Sequence, residues 1–270
     1  SVGRINLGFL NRLTIDDVLI RDQRQAELLS ARRMSVKLQL LPLLNGSVSV
    51  SSAQLFGAHA RLYRDSAQAV PNYQFVLDAL SSPDSDKPSA LNLHIGSLIV
   101  RRLSLDYDQL DAPQTPGRLN PHHLHIADVS AHVLLRALTP DTLNVNVKRV
   151  SLHEQAGLDL RQLAFKLEGN HQEAVLSDFL LQMPHTILAL DSLHAHYSPD
   201  SLATSLRLSR SSIGGAIALA DFASVLPLQT LTKYHFDINA DLSAAPGTLY
   251  CHQLSIMAPD ESIMLQASGH

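Results

Sequence analysis

The chain has 270 residues, 45% of them apolar and only 17% charged, with a net charge of −4. So low a charged fraction, with no basic run longer than Arg32-Arg33 or Arg101-Arg102, argues against nucleic acid as a partner. A single cysteine, Cys251, excludes an internal disulfide, and no run approaches the roughly 18 apolar residues that a membrane helix needs.

Two apolar residues one apart, a gap of two, then two more one apart form a unit that recurs along the chain. It opens as Leu13/Ile15 then Val18/Ile20. Each half has the period of two that marks a strand, and the step of three between halves predicts a bulge that returns the second half to the same face. Asp16 and Asp17 occupy that first gap and read as a solvated kink. Leu40 to Gly46 interrupts the strands, since Pro42 cannot sit in a central strand and Asn45-Gly46 is a strong turn signal; a helical turn or loop is expected there. The strand "SVSVSSAQLFGAHARLYRD" follows, carrying Val48/Val50 then Ala53/Leu55. Residues 72–80 predict a short helix packed by Phe75, Val76, Ala79 and Leu80, and Ser81 to Ser89 reads as a linker. The expected division is therefore a β segment over 1–80, a linker over 81–90 and further β repeats over 91–270.

From residue 91 onward the copies crowd together. They are Leu93/Ile95, Leu98/Val100 and Leu103/Leu105, then Leu124/Ile126 with Val129/Ala131 and, beyond, Val133. Next come Val145/Val147 with Val150/Leu152, Leu158/Leu160 with Leu163/Phe165, and Leu188/Leu190 with Leu193/Ala195. Asp111 to Pro121 reads as a loop, with turns near Pro140, Gly169 and Pro199. Ala218 to Leu231 has mixed periodicity compatible with a helix. A strand pair turning at Pro246-Gly247 closes the sequence, with Leu249/Cys251 then Leu254/Ile256 as the last copy. The spacing of copies is irregular, which argues against a solenoid such as a leucine-rich repeat.

These patterns predict a mainly β fold: an elongated, twisted antiparallel sheet folded into an apolar groove, with few short helices. Two readings of its greasy side stay open. It is the core of a sandwich covered by a second sheet, or a groove that shields acyl chains. On the second reading the lining residues are Leu93, Ile95, Leu103, Leu105, Leu124, Ile126, Val133, Val145, Val147, Leu158, Leu160, Phe165, Leu188 and Leu190. A rival from another class is a scaffold that recruits strands at its open edges.

Chemistry is sparse. His123/His125 and His194/His196 are spaced as strand neighbours and could share zinc given a third ligand. They alternate with apolar residues, so an outer, wet face is the simpler reading, and no metal or other cofactor is expected. No nucleophile elbow, zincin motif or phosphate loop is present; "SSIGGA" at Ser211 to Ala216 reads as a turn or bulge and Cys251 as a small core residue, so the chain is not read as an enzyme.

Residues 4–65 carry a resemblance. The "L-x-I-x-x-V-x-I" opening strand, the "LLPLLNG" break, the strand to Asp65, and "NYQFVLDAL" with its acidic, proline-bearing linker resemble the periplasmic part of the AsmA-like family, in its Bacteroidetes-like TamB form. "LADFASVLPL" and the "LQASG" ending are similar to later repeats of that family. The resemblance implies a β-taco in the periplasm of a Gram-negative bacterium and a parent protein anchored in the inner membrane by an N-terminal helix. It also implies bridge-like transfer of phospholipid or another acyl-chain lipid between the inner and outer membranes. A BamA-like outer-membrane barrel, met through a C-terminal region, is the implied protein partner. The sequence opens in mid-pattern, shows no signal peptide, anchor helix or C-terminal domain, and reads as a fragment, so barrel docking is the least supported of these expectations.

Overall fold

A computed structural model describes residues 3–8, 11–39, 48–81, 91–92, 96–139, 141–226, 230–259 and 262–270. Fifteen strands dominate it: β1 (Arg4–Gly8), β2 (Arg12–Arg21), β3 (Glu27–Leu38), β4 (Val48–Arg64), β5 (Leu91–Asn92), β6 (Ser97–Gln109), β7 (His123–Thr139), β8 (Thr142–Glu154), β9 (Asp159–Gly169), β10 (Glu173–Gln182), β11 (Ile187–His196), β12 (Arg207–Ala218), β13 (His235–Ala245), β14 (Thr248–Met257) and β15 (Met264–Gly269). The helices are short: α1 (Gln74–Ser81), α2 (Leu202–Ser205) and two 3-10 turns at Pro199–Ser201 and Leu219–Phe222. The fold is mainly β, as its alternating apolar residues require.

The chain forms two compact units, Ser1–His132 with Leu152–Ala156 and Val133–Ser151 with Gly157–His270, so β7 and β8 supply residues to both. The first unit runs β1-β2-β3-β4-β6-β7 in hydrogen-bonded order. The sheet is antiparallel except at β4, which pairs β5 and β6 in parallel. A parallel pair needs a crossover of a dozen residues or more, and the segment between Arg64 and Ser97, with α1 in it, supplies one. Phe75 and Val76 of α1 are half-buried. The linker expected over 81–90 and the break over 40–46 lie almost wholly outside the described residues, and β4 and β6, on either side of the linker, belong to one unit.

The step of three is solved in a way alternation alone does not reveal. In the first unit the extra residue is present on each of β2, β3, β4 and β6, so the register passes through it unbroken: Asp16↔Arg33↔Phe56↔Arg101 on one side, Val18↔Ala31↔Ala58↔Leu103 on the other. The expected two-against-one bulge is replaced by an aligned kink. The turn is made by a left-handed residue on three of these four strands, Asp17 of β2 (φ 55°), Gly57 of β4 (φ 56°) and Arg102 of β6 (φ 54°), with none on β3. Glycine eases position 57 for a second reason: a Cβ there would meet Cδ of Arg32 at 3.1 Å, so the Arg32 stem would have to shift. In the second unit the expected bulge does occur, where Asp178 (φ 53°) and Phe179 face one residue of β9.

The second unit continues through β8 and β9 to β15 as successive neighbours. Ser211 to Ala216 lies inside β12, just past a bulge, and contains a close approach: a Cβ on Gly215 would fall 2.0 Å from Ile187 O. Ala218 to Leu231 is a 3-10 turn followed by turns, and residues 227–229 are outside the described part. The hairpin at Pro246-Gly247 forms as expected, with Gly247 at φ 74°.

Candidate functional site

Register converts the apolar alternation into rows. In the first unit four rows cross β2, β3, β4 and β6: Leu13–Val36–Ala53–Leu98, Ile15–Met34–Leu55–Val100, Val18–Ala31–Ala58–Leu103 and Ile20–Leu29–Ala60–Leu105. All sixteen positions are apolar, and the kink falls between the second and third rows without turning any of them over. Val18, Ala31 and Ala58 are buried, with Ile15, Ile20, Leu29, Met34, Leu55 and Leu103 packed around them in part. The rows between belong to the other face and are largely polar, such as Thr14–Ser35–Gln54–Ile99.

The second unit repeats the design. One row runs Leu163–Leu181–Leu188–Gly215–Ile238–Ile256–Leu265 across seven strands, and its neighbour runs Phe179–Leu190–Ile213–Ala240–Leu254–Ala267. The wide residues of these rows are half-buried, and Leu265 is 49% exposed. A sandwich core of this size would bury many leucines and phenylalanines outright. Among the described residues the one side chain below 2% exposure is Thr186. Each unit therefore presents an apolar face that its own residues cover only in part.

Of the expected lining residues, Leu93 and Ile95 lie outside the described part. Leu103 and Leu105 stand in the rows of the first unit, where Leu124 and Ile126 of β7 are also half-buried. In the second unit Leu188 and Leu190 stand in the long rows. Val133, Val145, Leu158, Leu160 and Phe165 are half-buried there, and Val147 is buried. The sequence reading missed the copies on β3 (Leu29/Ala31 then Met34/Val36) and β10 (Ala174/Leu176 then Phe179/Leu181). Both carry the same step of three and were legible by the same rule.

The polar face of the first unit carries a histidine–carboxylate ladder. His59 Nε2 lies 2.8 Å from Asp106 Oδ2, and His125 Nδ1 lies 3.0 Å from Asp106 Oδ1. Burial pushes the Asp106 carboxyl up, but the hydrogen bonds from His125 and His59 outweigh it and hold its pKa below the ordinary value. The expectation of wet histidines fails at His123, whose side chain is 10% exposed and wedged between Asp108 and the 111–121 loop. His194 and His196 are exposed, as expected. Among the described residues no group of three histidine, cysteine or acidic side chains is placed to hold a metal ion. Cys251 is half-buried on the apolar face, opposite Leu242.

No family model matches this chain, and no curated protein matches it. Its function must be argued from the faces themselves. An apolar strip flanked by hydrogen-bonded backbone can take up hydrocarbon at roughly 0.8 kcal/mol per methylene removed from water, with no polar contact required. Ser243 Oγ of β13 and His252 Nε2 of β14 lie 2.7 Å apart, an exposed serine–histidine contact.

Proposed function

We propose that this chain carries acyl-chain lipid, with phospholipid as the cargo, along its half-covered apolar face. One observation carries the reading: rows of apolar residues, mainly leucine, isoleucine, valine and alanine, that the chain leaves only partly covered. The sequence resemblance to AsmA-like proteins supports the same cargo. It extends the proposal to a periplasmic segment of a bridge between inner and outer membranes, tethered through a parent protein. Among the described residues no helix is long and apolar enough to cross a membrane.

A continuous apolar track suits sliding better than capture, because each step exchanges one methylene contact for an equivalent one. Weak discrimination between headgroups follows. The test is native mass spectrometry, with lipid extraction, of protein purified from a Gram-negative host. Co-purifying phospholipid supports the proposal; lipid-free protein that also fails to take up fluorescent phospholipid from vesicles rejects it.

A second reading, a scaffold for unfolded outer-membrane strands, draws on the edge strand β15, whose residues Met264–Gly269 are all exposed. Such an edge can add a strand by backbone pairing. Bound peptide in place of lipid in the same spectra favours it.

A further inference from the structure

The sequence has no basic block longer than two residues, yet the sheet of the first unit builds one. Its polar face gathers Arg4, Arg32, Arg33, Lys37, Arg101 and Arg102 from β1, β3 and β6, all exposed. They centre on the aligned kink, where Arg33 and Arg101 flank Phe56 in register and Arg4 faces Asp16. A recess of about 310 Å³ is lined by Arg32, Arg33, Phe56, Gly57 and Arg102. A second recess, of about 510 Å³, joins Arg4, Arg32 and Arg33 to Asp16 and Asp17. The stem of Arg32 lies across Gly57, which has no side chain to obstruct it, so its guanidinium is carried over β4.

The two recesses bring Arg4, Arg32, Arg33 and Arg102 together with two carboxylates, Asp16 and Asp17, in a chain whose net charge is −4. Among the described residues Arg33 is the one of the six cations with an ion pair, to Asp16 at 2.7 Å. Arg32, Arg101 and Arg102 have no ion-pair or hydrogen-bond partner among the described residues. Elsewhere Arg24 pairs with Asp65, Lys166 with Asp178 and Arg210 with Asp241, while other cations such as Arg61, Arg118 and Lys148 have no ion pair among the described residues; what sets the patch apart is that its cations are gathered on one face. Like charges brought together without counter-charges repel, and a bound anionic surface reverses that.

We infer that this basic surface docks the first unit on a membrane rich in anionic phospholipid headgroups. Charge complementarity selects the occupant. Clustered Lys and Arg side chains are drawn to anionic lipid with no requirement for a shaped pocket. Single-stranded nucleic acid would want several stacking aromatics, and the recess at the kink offers one, Phe56. The inference goes beyond the cargo proposal, because it assigns the opposite face of the sheet and holds whether or not the apolar face carries lipid.

The experiment is co-sedimentation with vesicles of phosphatidylcholine alone and of phosphatidylcholine mixed with phosphatidylglycerol. Expected is binding to the anionic vesicles only, weakened more than about tenfold as salt is raised past physiological strength. The double variant Arg32→Glu with Arg102→Glu should lose more than about tenfold in binding, while Arg207→Glu on β12 of the second unit leaves it unchanged. If the charge reversal lowers the melting temperature, Arg32→Gln with Arg102→Gln reads the same loss. Equal binding to neutral vesicles, undiminished binding by both double variants, or tighter binding of single-stranded DNA than of anionic vesicles would overturn the inference. Lipid co-purification should be the same in wild type and the double variants, which separates failure here from failure of the cargo proposal.

Discussion

His123 Nδ1 lies 2.7 Å from Asp108 Oδ1, and the other ring nitrogen of His123 lies 2.9 Å from Ala112 O. Both partners are acceptors, so both contacts are hydrogen bonds only when both nitrogens donate, as they do in the imidazolium. Asp108 and the Ala112 carbonyl together raise the His123 pKa above the ordinary histidine value, against the opposing effect of burial. Because the folded pKa is the higher one, the stabilisation is complete below about pH 6.5 and is lost as pH rises through the folded value. Groups near it are Asp106 and Asp108 of β6, His122 and His125, Glu154 at the end of β8, and Arg118 and Asp111 of the loop. NMR titration should place His123 above free histidine, and hydrogen-exchange protection of the 111–121 loop should fall through the same pH range. His123→Gln should remove that pH dependence and cost about 1 kcal/mol.

Charge in mid-track separates a half-covered face from a closed core. Leu190 is half-buried, so Leu190→Arg can reach its guanidinium to water while blocking cargo. Its expected melting shift is small, about 2–4 °C, with co-purifying lipid lost. Ala58, 3% exposed at the centre of its cluster, is the contrast: Ala58→Arg buries an unpaired charge and should unfold the first unit. Thermal melts of the two variants, each with lipid extraction, read the difference. Equal, severe destabilisation would mean that Leu190 lies in a sealed core.

Gly215 is the position least tolerant of a side chain. Its φ of 148° suits glycine alone, and the added Cβ would strike the Ile187 carbonyl. Gly215→Ala should cost about 2 kcal/mol or more and loosen the β11–β12 pairing, seen as faster exchange of the amides around Ile187. Gly57→Ala should cost about 1 kcal/mol, since only the flexible Arg32 stem must give.

Asp22 organises the turn between β2 and β3. It is 3% exposed and accepts bonds from the backbone of Arg24 and Ala26 at 2.9 Å and from Tyr63 Oη at 2.7 Å. Burial pushes its carboxyl up, but these donors and Asn72 outweigh it and leave the pKa below the ordinary value. Its contribution is therefore present above about pH 3.9 and lost as pH falls through the folded value. Asp22→Ala should cost about 2–3 kcal/mol by orphaning the Arg24 and Ala26 amides and the Tyr63 hydroxyl, Asn72 keeping its bond to Arg61 O, and it should flatten the acid limb of the stability profile measured by denaturant titration.

Much of the fold was legible because strand alternation is local. The period of two and the step of three locate β2, β4, β6, β7 and β9, the short helix α1, and the hairpin at Gly247. Three matters were not. The parallel pairing of β4 with β6 is invisible in alternation, which reads the same in either direction. Wet and clamped histidines look alike until a loop folds back, as Ala112 does on His123. A single strand also cannot tell a bulge from an aligned kink, since the difference lies in what its neighbours do at the same level.

By itself the sequence determined that this chain must make strands with one apolar and one polar side, since side-chain direction follows from backbone geometry residue by residue. Only the tertiary structure decided which strands lie side by side, and pairing turns isolated alternation into surfaces. It lined up Leu163 with Leu265 across seven strands, left those rows partly uncovered, and drew arginines from distant segments onto one basic patch. Those properties belong to register, a relation between segments far apart in the chain.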